Sequence, residues 1–306
     1  MDQPESILIM RLGAIGDCLR VLPALAALRR AFPNAKIGWA VEHWVLPVLA
    51  DHPMVDRFHV LNRKQLRAGS RPALKEMNRH IAEIRAEQYQ VLLDFHGRAK
   101  SGWIGWRSGI PLRIGYAKGQ STEKNHWFTN HQVRLEDPLE NRVSRFLHLL
   151  EPLGVQASFD PKNSGIFIPE PWRNAARAWY GEVGKPALAA YPGCSKHQAA
   201  YHRWPVEKWV ELLRRLDGDG TQTVLFWGPD EADYVRTIHQ QAGVGLLAPN
   251  TKLVEMMAML GQFRAFIGTN SAAMHMAWLQ GVPSAFFSGP ALPKTDGPLN
   301  PVLGVG

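Results

Sequence analysis

Cysteine is scarce in this chain of 306 residues, with only Cys18 and Cys194. That excludes a disulfide framework and a thiol cluster for a structural metal, and a reducing compartment is the simplest expectation. No apolar run approaches the roughly 18 residues of a membrane-spanning helix. The N-terminus, MDQPESILIM, also lacks a basic region followed by a long apolar one, so a cytoplasmic protein is expected. Helix-turn-helix, zinc-finger and RNP-like signatures are missing too, which argues against nucleic acid as a partner despite a net charge of +8. The first glycine loop has only Gly13 and Gly16, three apart, so the G-x-G-x-x-G pattern of a dinucleotide site fails. Glu42, roughly where such a site places its ribose acid, is not enough to restore it.

What is present is organised around Ser6 to Phe32. Ile7, Leu8, Ile9 and Met10 form a continuous apolar run that suits a strand buried on both faces of a parallel sheet. Gly13 and Gly16 are expected to make a tight turn with φ > 0 or a close backbone approach. Leu19, Leu22, Leu25, Ala26 and Leu28 then recur at helical spacing. Asp17 sits where turn becomes helix, a position at which a carboxylate commonly caps free N–H groups. The same β-turn-α pattern continues through strands at Lys36–Val41, Arg57–Leu61, Val91–Phe95 and Leu112–Tyr116. Helices are expected at His43–Ala50, Ala73–Gln88, Ala99–Trp106 and Asn141–Leu153, with a mobile basic loop over Asn62–Arg67. The net charge is concentrated between Leu61 and Lys124, where thirteen basic residues face five acidic ones. Such a field favours an anionic partner, although a basic stretch is also a common solvated face.

Between Phe159 and Pro186 the rhythm breaks into prolines and a Trp- and Ala-rich helix, which places a domain boundary between residues 165 and 166. The second half repeats the logic of the first. Strands are expected at Ala187–Tyr191, Thr223–Trp227, Val244–Leu247, Ala265–Gly268 and Ser284–Phe287. Helices are expected at Pro205–Leu216 (with Pro at its first position), Glu231–Ala242, Leu253–Gln262 and Ser271–Gln280. After Pro290 no helix is expected, and the second domain reads as truncated. Repeated β-turn-α units argue for two α/β domains, each a doubly wound parallel sheet, with ligands at the carboxyl ends of the strands and a cleft between the domains as the default site. In the second half that edge carries Pro192-Gly193-Cys194-Ser195 followed by His202-Arg203-Trp204-Pro205, then Gly228-Pro229-Asp230-Glu231, then Gly268 to His275. Glycine turns and cations leading into helices suit phosphates. Each of these turns also caps helices in proteins that bind nothing there. Cys18, Cys194, Trp204 and Trp209 read as buried apolar groups.

Taken in order, RLGAIGD with LPALAALRRAFP, LLDFHGRAKSG with LRIGY, YPG with RWPVEKW, and GTNSAAMHMAWLQGVPSAFFSGP resemble the glycosyltransferase family 9 heptosyltransferases over nearly the whole chain. The resemblance implies a GT-B architecture, two Rossmann-like domains with the acceptor on residues 1–165 and a nucleotide-sugar on residues 166–306. It implies an inverting enzyme that uses no metal and no cofactor, with ADP-heptose as donor and the Kdo-lipid A or heptosylated inner core of lipopolysaccharide as acceptor. Asp17 matches the family's proposed general base. Gly13, Gly16, Arg63, Lys64, Arg67, Arg98 and Lys100 match acceptor-side positions. Gly193, Ser195, His202, Arg203, Thr269, Asn270, Ser271, Ala272 and His275 match donor-side positions.

The chain also departs from the family's pattern. His202 stands where the family has a lysine, and Asn270-Ser271-Ala272 replaces its Asp-Ser/Thr-Gly. Those departures keep open a different nucleotide-sugar, or a catalytically weak nucleotide- or glycan-binding relative. For His275 a satisfied core histidine is an open alternative. Because the implied acceptor is lipid-linked and no anchor is present, peripheral contact of the basic N-terminal region with an anionic inner membrane is expected.

Overall fold

The computed structural model describes residues 3–184, 186–194 and 199–299. The chain divides into two compact units, Met1–Phe167 and Ile168–Gly306.

In the first unit the strands are β1 (Ser6–Met10), β2 (Lys36–Glu42), β3 (Arg57–Leu61), β4 (Val91–Asp94), β5 (Leu112–Tyr116) and β6 (His131–Val133). All pair in parallel, in the order β3-β2-β1-β4-β5-β6. The apolar run of β1 lies at the centre, with Ile7 to Met10 fully buried, because helices cover both of its faces. The strand order reverses between β1 and β4, and in a doubly wound sheet that switch point opens a crevice at the carboxyl edge.

The expected single helix after β1 is broken into α1 (Ile15–Leu19) and α2 (Leu22–Ala31). Pro23 has no N–H for the carbonyl four residues back, so a new helix begins with proline in its first turn, where that N–H is not needed. The basic loop expected over Asn62–Arg67 is instead a short helix, α3 (Arg63–Arg67), whose cap Asn62 accepts a hydrogen bond from the Lys64 N–H at 3.0 Å. The helix expected at His43–Ala50 shrinks to a single 3₁₀ turn, Leu46–Val48. Helices α4 (Ser70–Ala86), α5 (Ala99–Arg107) and α6 (Arg142–His148) complete the unit.

The second unit opens with α7 (Glu170–Glu182), the Trp- and Ala-rich segment. Its strands β7 (Leu188–Tyr191), β8 (Thr223–Leu225), β9 (Leu246–Leu247), β10 (Ala265–Thr269) and β11 (Ser284–Phe287) run parallel in the order β11-β10-β7-β8-β9. This repeats the reversal of the first sheet, now between β7 and β10. Helices α8 (Ala199–His202), α9 (Val206–Gly218), α10 (Ala232–Ala242), α11 (Leu253–Leu260) and α12 (Ala272–Trp278) alternate with the strands. Pro205 is the cap of α9 rather than its first residue. After Pro290, where no helix is expected, the chain forms α13 (Pro293–Asp296). Trp209 is fully buried, and Trp204 stacks on Phe287 at 4.2 Å, so both tryptophans serve the core.

Candidate functional site

At the β1–β4 switch point of the first unit lies a cavity of about 500 Å³. Four segments far apart in sequence build its wall. Arg11, Gly13, Ala14 and Asp17 follow β1, Glu42 ends β2 and Trp44 follows it, Arg63, Leu66 and Arg67 come from α3, and His96, Arg98 and Lys100 follow β4. Asp17, Gly13, Arg63, Arg67, Arg98 and Lys100 are thus brought together. Lys64 and Gly16 are not on the wall: Lys64 is exposed and Gly16 is buried within α1.

Asp17 does not cap its helix. Ala14 is the cap residue, and Asp17 is the third residue of α1. Its carboxylate is ion-paired with two buried guanidiniums, Arg11 on one oxygen and Arg20 at 2.5 Å on the other. Arg11 is itself anchored by donating to the Phe95 carbonyl at 2.8 Å. The carboxylate is therefore held in one orientation while still forming part of the cavity wall. Neither Gly13 nor Gly16 has a positive φ. Gly13 matters for close approach, since a Cβ there would meet the Trp44 ring at 3.0 Å.

Glu42 is the hub of the opposite wall. It is buried, accepts from the Trp44 indole at 2.7 Å and from Lys100 at 3.1 Å, and lies 3.8 Å from Arg63. A carboxylate so occupied by its neighbours organises cations and is not a ribose ligand. Arg63 also lies over the Trp44 ring at 5.9 Å. Asp94 is completely buried, and burial pushes its pKa up against the hydrogen bonds it accepts. It takes the His96 and Gly97 N–H groups at 3.0 Å each, Ser101 Oγ at 2.9 Å and Asn125 Nδ2 at 2.7 Å. Asp94 thus ties the turn that presents His96 and Arg98. Burial and the neighbouring Arg11, Lys100 and Arg98 hold the His96 pKa down to about 3, so His96 is a neutral ring in the cavity. Cys18 is buried, its thiol pushed up by burial, as suits an inert packing group.

In the second unit, Gly193 and Thr269 meet at the β7–β10 switch point. Thr269, the last residue of β10, donates its hydroxyl to the Gly193 carbonyl after β7. Asn270, Ser271 and Ala272 follow directly into α12 and are half-buried. Ser271 is the cap residue of α12, yet its Oγ makes no cap bond and is buried without a hydrogen-bond partner. His202 lies against Gly289 just beyond β11, and Arg203 stacks over Tyr234 at 4.6 Å. Ser195 lies outside the described residues. His275 is 2% exposed, and its Nδ1 accepts from the Trp278 indole at 3.0 Å, as in a satisfied core histidine. Glu231 fills the space beside Gly193, where a Cβ would meet it at 2.6 Å, and burial raises its pKa.

His96 and Glu231 lie in turns that the sequence places at the carboxyl edges of the sheets, whereas Arg11, Arg20 and Trp44 are positions it did not select as site residues. Arg11 could have been suspected as a charge directly after an apolar strand. For the others the signal is purely three-dimensional.

Comparison with known proteins gives the family and the fold. The family model described as glycosyltransferase family 9 (heptosyltransferase) matches residues 77–304. Lipopolysaccharide heptosyltransferase 3 of Escherichia coli is 25% identical over 277 residues, covering 86% of this chain and 77% of that protein. Lipopolysaccharide heptosyltransferase 1 of Pseudomonas aeruginosa is 24% identical, covering 95% and 80%. Among solved structures, a family 9 glycosyl transferase from Veillonella parvula superimposes with a TM-score of 0.82 at 24% identity, covering all of this chain and 87% of that one. E. coli heptosyltransferase WaaC with ADP-2-deoxy-2-fluoro heptose follows at a TM-score of 0.76 and 20% identity, covering 94% and 90%. With a family model spanning most of its length and two doubly wound sheets like those of its structural neighbours, this chain belongs to glycosyltransferase family 9 (heptosyltransferase) and is a glycosyltransferase.

Proposed function

We propose that the protein moves a heptose from ADP-heptose to the anionic inner core of lipopolysaccharide, Kdo-lipid A or its heptosylated form, with inversion and without a metal. The observation that carries this reading is the cavity of the first unit, where one oriented carboxylate, Asp17, stands among Arg63, Arg67, Arg98 and Lys100. Cations at that density suit the carboxylates and phosphates of such an acceptor. The donor is suggested by solved relatives holding ADP and an ADP-heptose analogue. In the reaction, Asp17 takes the proton of the acceptor hydroxyl as its oxygen bonds to the anomeric carbon and the bond to the nucleotide phosphate breaks. The transition state is oxocarbenium-like, and the departing diphosphate needs preorganised donors and cations. His202 and Arg203, with the backbone and hydroxyls of Gly193, Ser195 and Thr269 to Ala272, are the groups assigned to it. Such an enzyme works at the cytoplasmic face of the inner membrane in peripheral contact with it.

The test pairs binding with turnover. A thermal-shift panel of ADP, UDP, GDP and their sugar conjugates is expected to raise the melting temperature with ADP and ADP-sugars. A preference for UDP or GDP would change the donor and implicate Asn270 and His202. Asp17→Asn keeps the side-chain shape beside the two arginines. It is expected to lower transfer to Kdo-lipid A by roughly 10²-fold or more while leaving the ADP shift intact. Unchanged turnover would remove Asp17 from the role of base.

A further inference from the structure

The loop from β5 to β6 sets an aromatic platform in water. Trp127 is 68% exposed and Trp106, near the end of α5, is 51% exposed. The two are linked through Phe128, adjacent to Trp127 in sequence, whose ring lies 6.3 Å from that of Trp106. One cation stacks on the platform and two more are exposed on the same segments. Lys124 sits over the Trp127 ring at 4.7 Å, and Arg107 follows Trp106 and is exposed, as is Lys118 on the same loop. The nearby acid Glu123 is occupied by Arg98 at 3.3 Å.

This exposure is built in by a tightly held loop. Asn125, two residues before Trp127, is fully buried and donates to Asp94 at 2.7 Å and to the Arg98 carbonyl at 2.8 Å. Thr122 donates its hydroxyl to the Gly97 carbonyl at 3.0 Å. The loop is therefore fastened to the same β4–α5 turn that presents His96 and Arg98 to the cavity. Trp106 lies eight residues after Arg98 along α5, a rise of about 12 Å.

We infer that Trp106, Trp127 and Phe128, with Lys124, Arg107 and Lys118, form the surface by which the protein docks on an anionic lipid bilayer. Indole rings favour the membrane–water interface, where an apolar body and a polar N–H are both accommodated, and each basic residue there adds attraction to anionic headgroups. A lipid-linked acceptor calls for contact with a bilayer. In that respect the inference rests on the proposed function.

The experiment is vesicle co-sedimentation of the full chain at low salt, with phosphatidylglycerol-rich and purely phosphatidylcholine vesicles, beside transfer assays on a deacylated, water-soluble acceptor. Binding to the anionic vesicles is expected to fall roughly ten-fold or more in a Trp106→Ser/Trp127→Ser double variant. It should fall about five-fold in each of Lys124→Gln and Arg107→Gln. Leu74→Ser, which removes an equally exposed apolar group on α4, is expected to leave binding unchanged. All variants should keep transfer to the soluble acceptor. Equal binding by the tryptophan variant, or no binding of the wild type to anionic vesicles, would overturn the docking surface while leaving the proposed reaction standing. Tryptophan-dependent binding without any transfer to the soluble acceptor would uphold the surface and count against the reaction.

Discussion

Asp17 is a single carboxylate shared by two mostly buried guanidiniums, and its replacement has a structural as well as a chemical consequence. Removing it leaves Arg11 and Arg20 without this counter-charge in a poorly solvated place, which typically costs about 3 kcal/mol. Asp17→Ala is therefore expected to lower the free energy of unfolding in urea by about that amount, and Asp17→Asn by clearly less, because an amide oxygen still accepts from a guanidinium. Equal stability of the two variants would mean that the arginines do not depend on the carboxylate. Asp17 was legible in the motif as a base and in the loop as a cap. The first reading remains a proposal, and the second fails because Asp17 is the third residue of α1, with Arg11 and Arg20 on its oxygens. Those partners are set by packing, which no residue spacing records.

Among the elements, strand β2 shows how packing assigns a residue that its own strand disfavours. Gly38 weakens a strand by its lack of a side chain, and in the sequence it is an unexplained gap in an otherwise apolar run. In the fold the Tyr89 ring fills that gap, so that a Cβ at Gly38 would press on Tyr89 Cζ at 2.5 Å and still more closely on its hydroxyl. That hydroxyl is hydrogen-bonded to the buried His59 at 2.9 Å and cannot swing aside freely. Gly38→Ala is expected to destabilise the protein by roughly 1–3 kcal/mol, the usual cost of overpacking. Denaturant titration measures it, and a neutral result would show that Tyr89 yields. Helix α3 makes a complementary point, because its polar residues looked like loop yet Asn62 could be recognised as a cap. What could not be recognised is that its backbone N–H donates to Glu76 at 2.7 Å, which fastens the helix and its Arg63 and Arg67 beside the cavity.

For the whole molecule, buried histidines set the response to acid. Burial holds the pKa of His59 to about 4 and those of His80 and His96 to about 3, all below the ordinary value. The unfolded chain therefore takes up protons first as pH falls below about 6.5. Stability from these groups is complete above that pH and is lost toward pH 4, at up to about 1.4 kcal/mol per pH unit for each histidine. His80 is fully buried, with no hydrogen-bond partner on either ring nitrogen. His80→Leu is expected to flatten the slope of unfolding free energy between pH 6.5 and 4.5 by about one proton's worth, measured by urea unfolding at several pH values. An unchanged slope would mean that His80 is protonated in the folded protein.

By itself the sequence determined the alternation of strands and helices, the central burial of β1, the concentration of charge between Leu61 and Lys124, and the family motifs. Those features are local: periodicity, capping and composition record whether a segment has one buried face or two. Only the tertiary structure decided the strand orders, and with them the two switch points that bring residues after β1 beside residues after β4, and Gly193 beside Thr269. It also decided that Glu42 organises cations, that Asp94 ties a turn, and that two tryptophans stand in water. Parallel strands are joined through crossovers, so which strands become neighbours depends on packing among distant segments, and the partner of a charge is settled only when those segments meet.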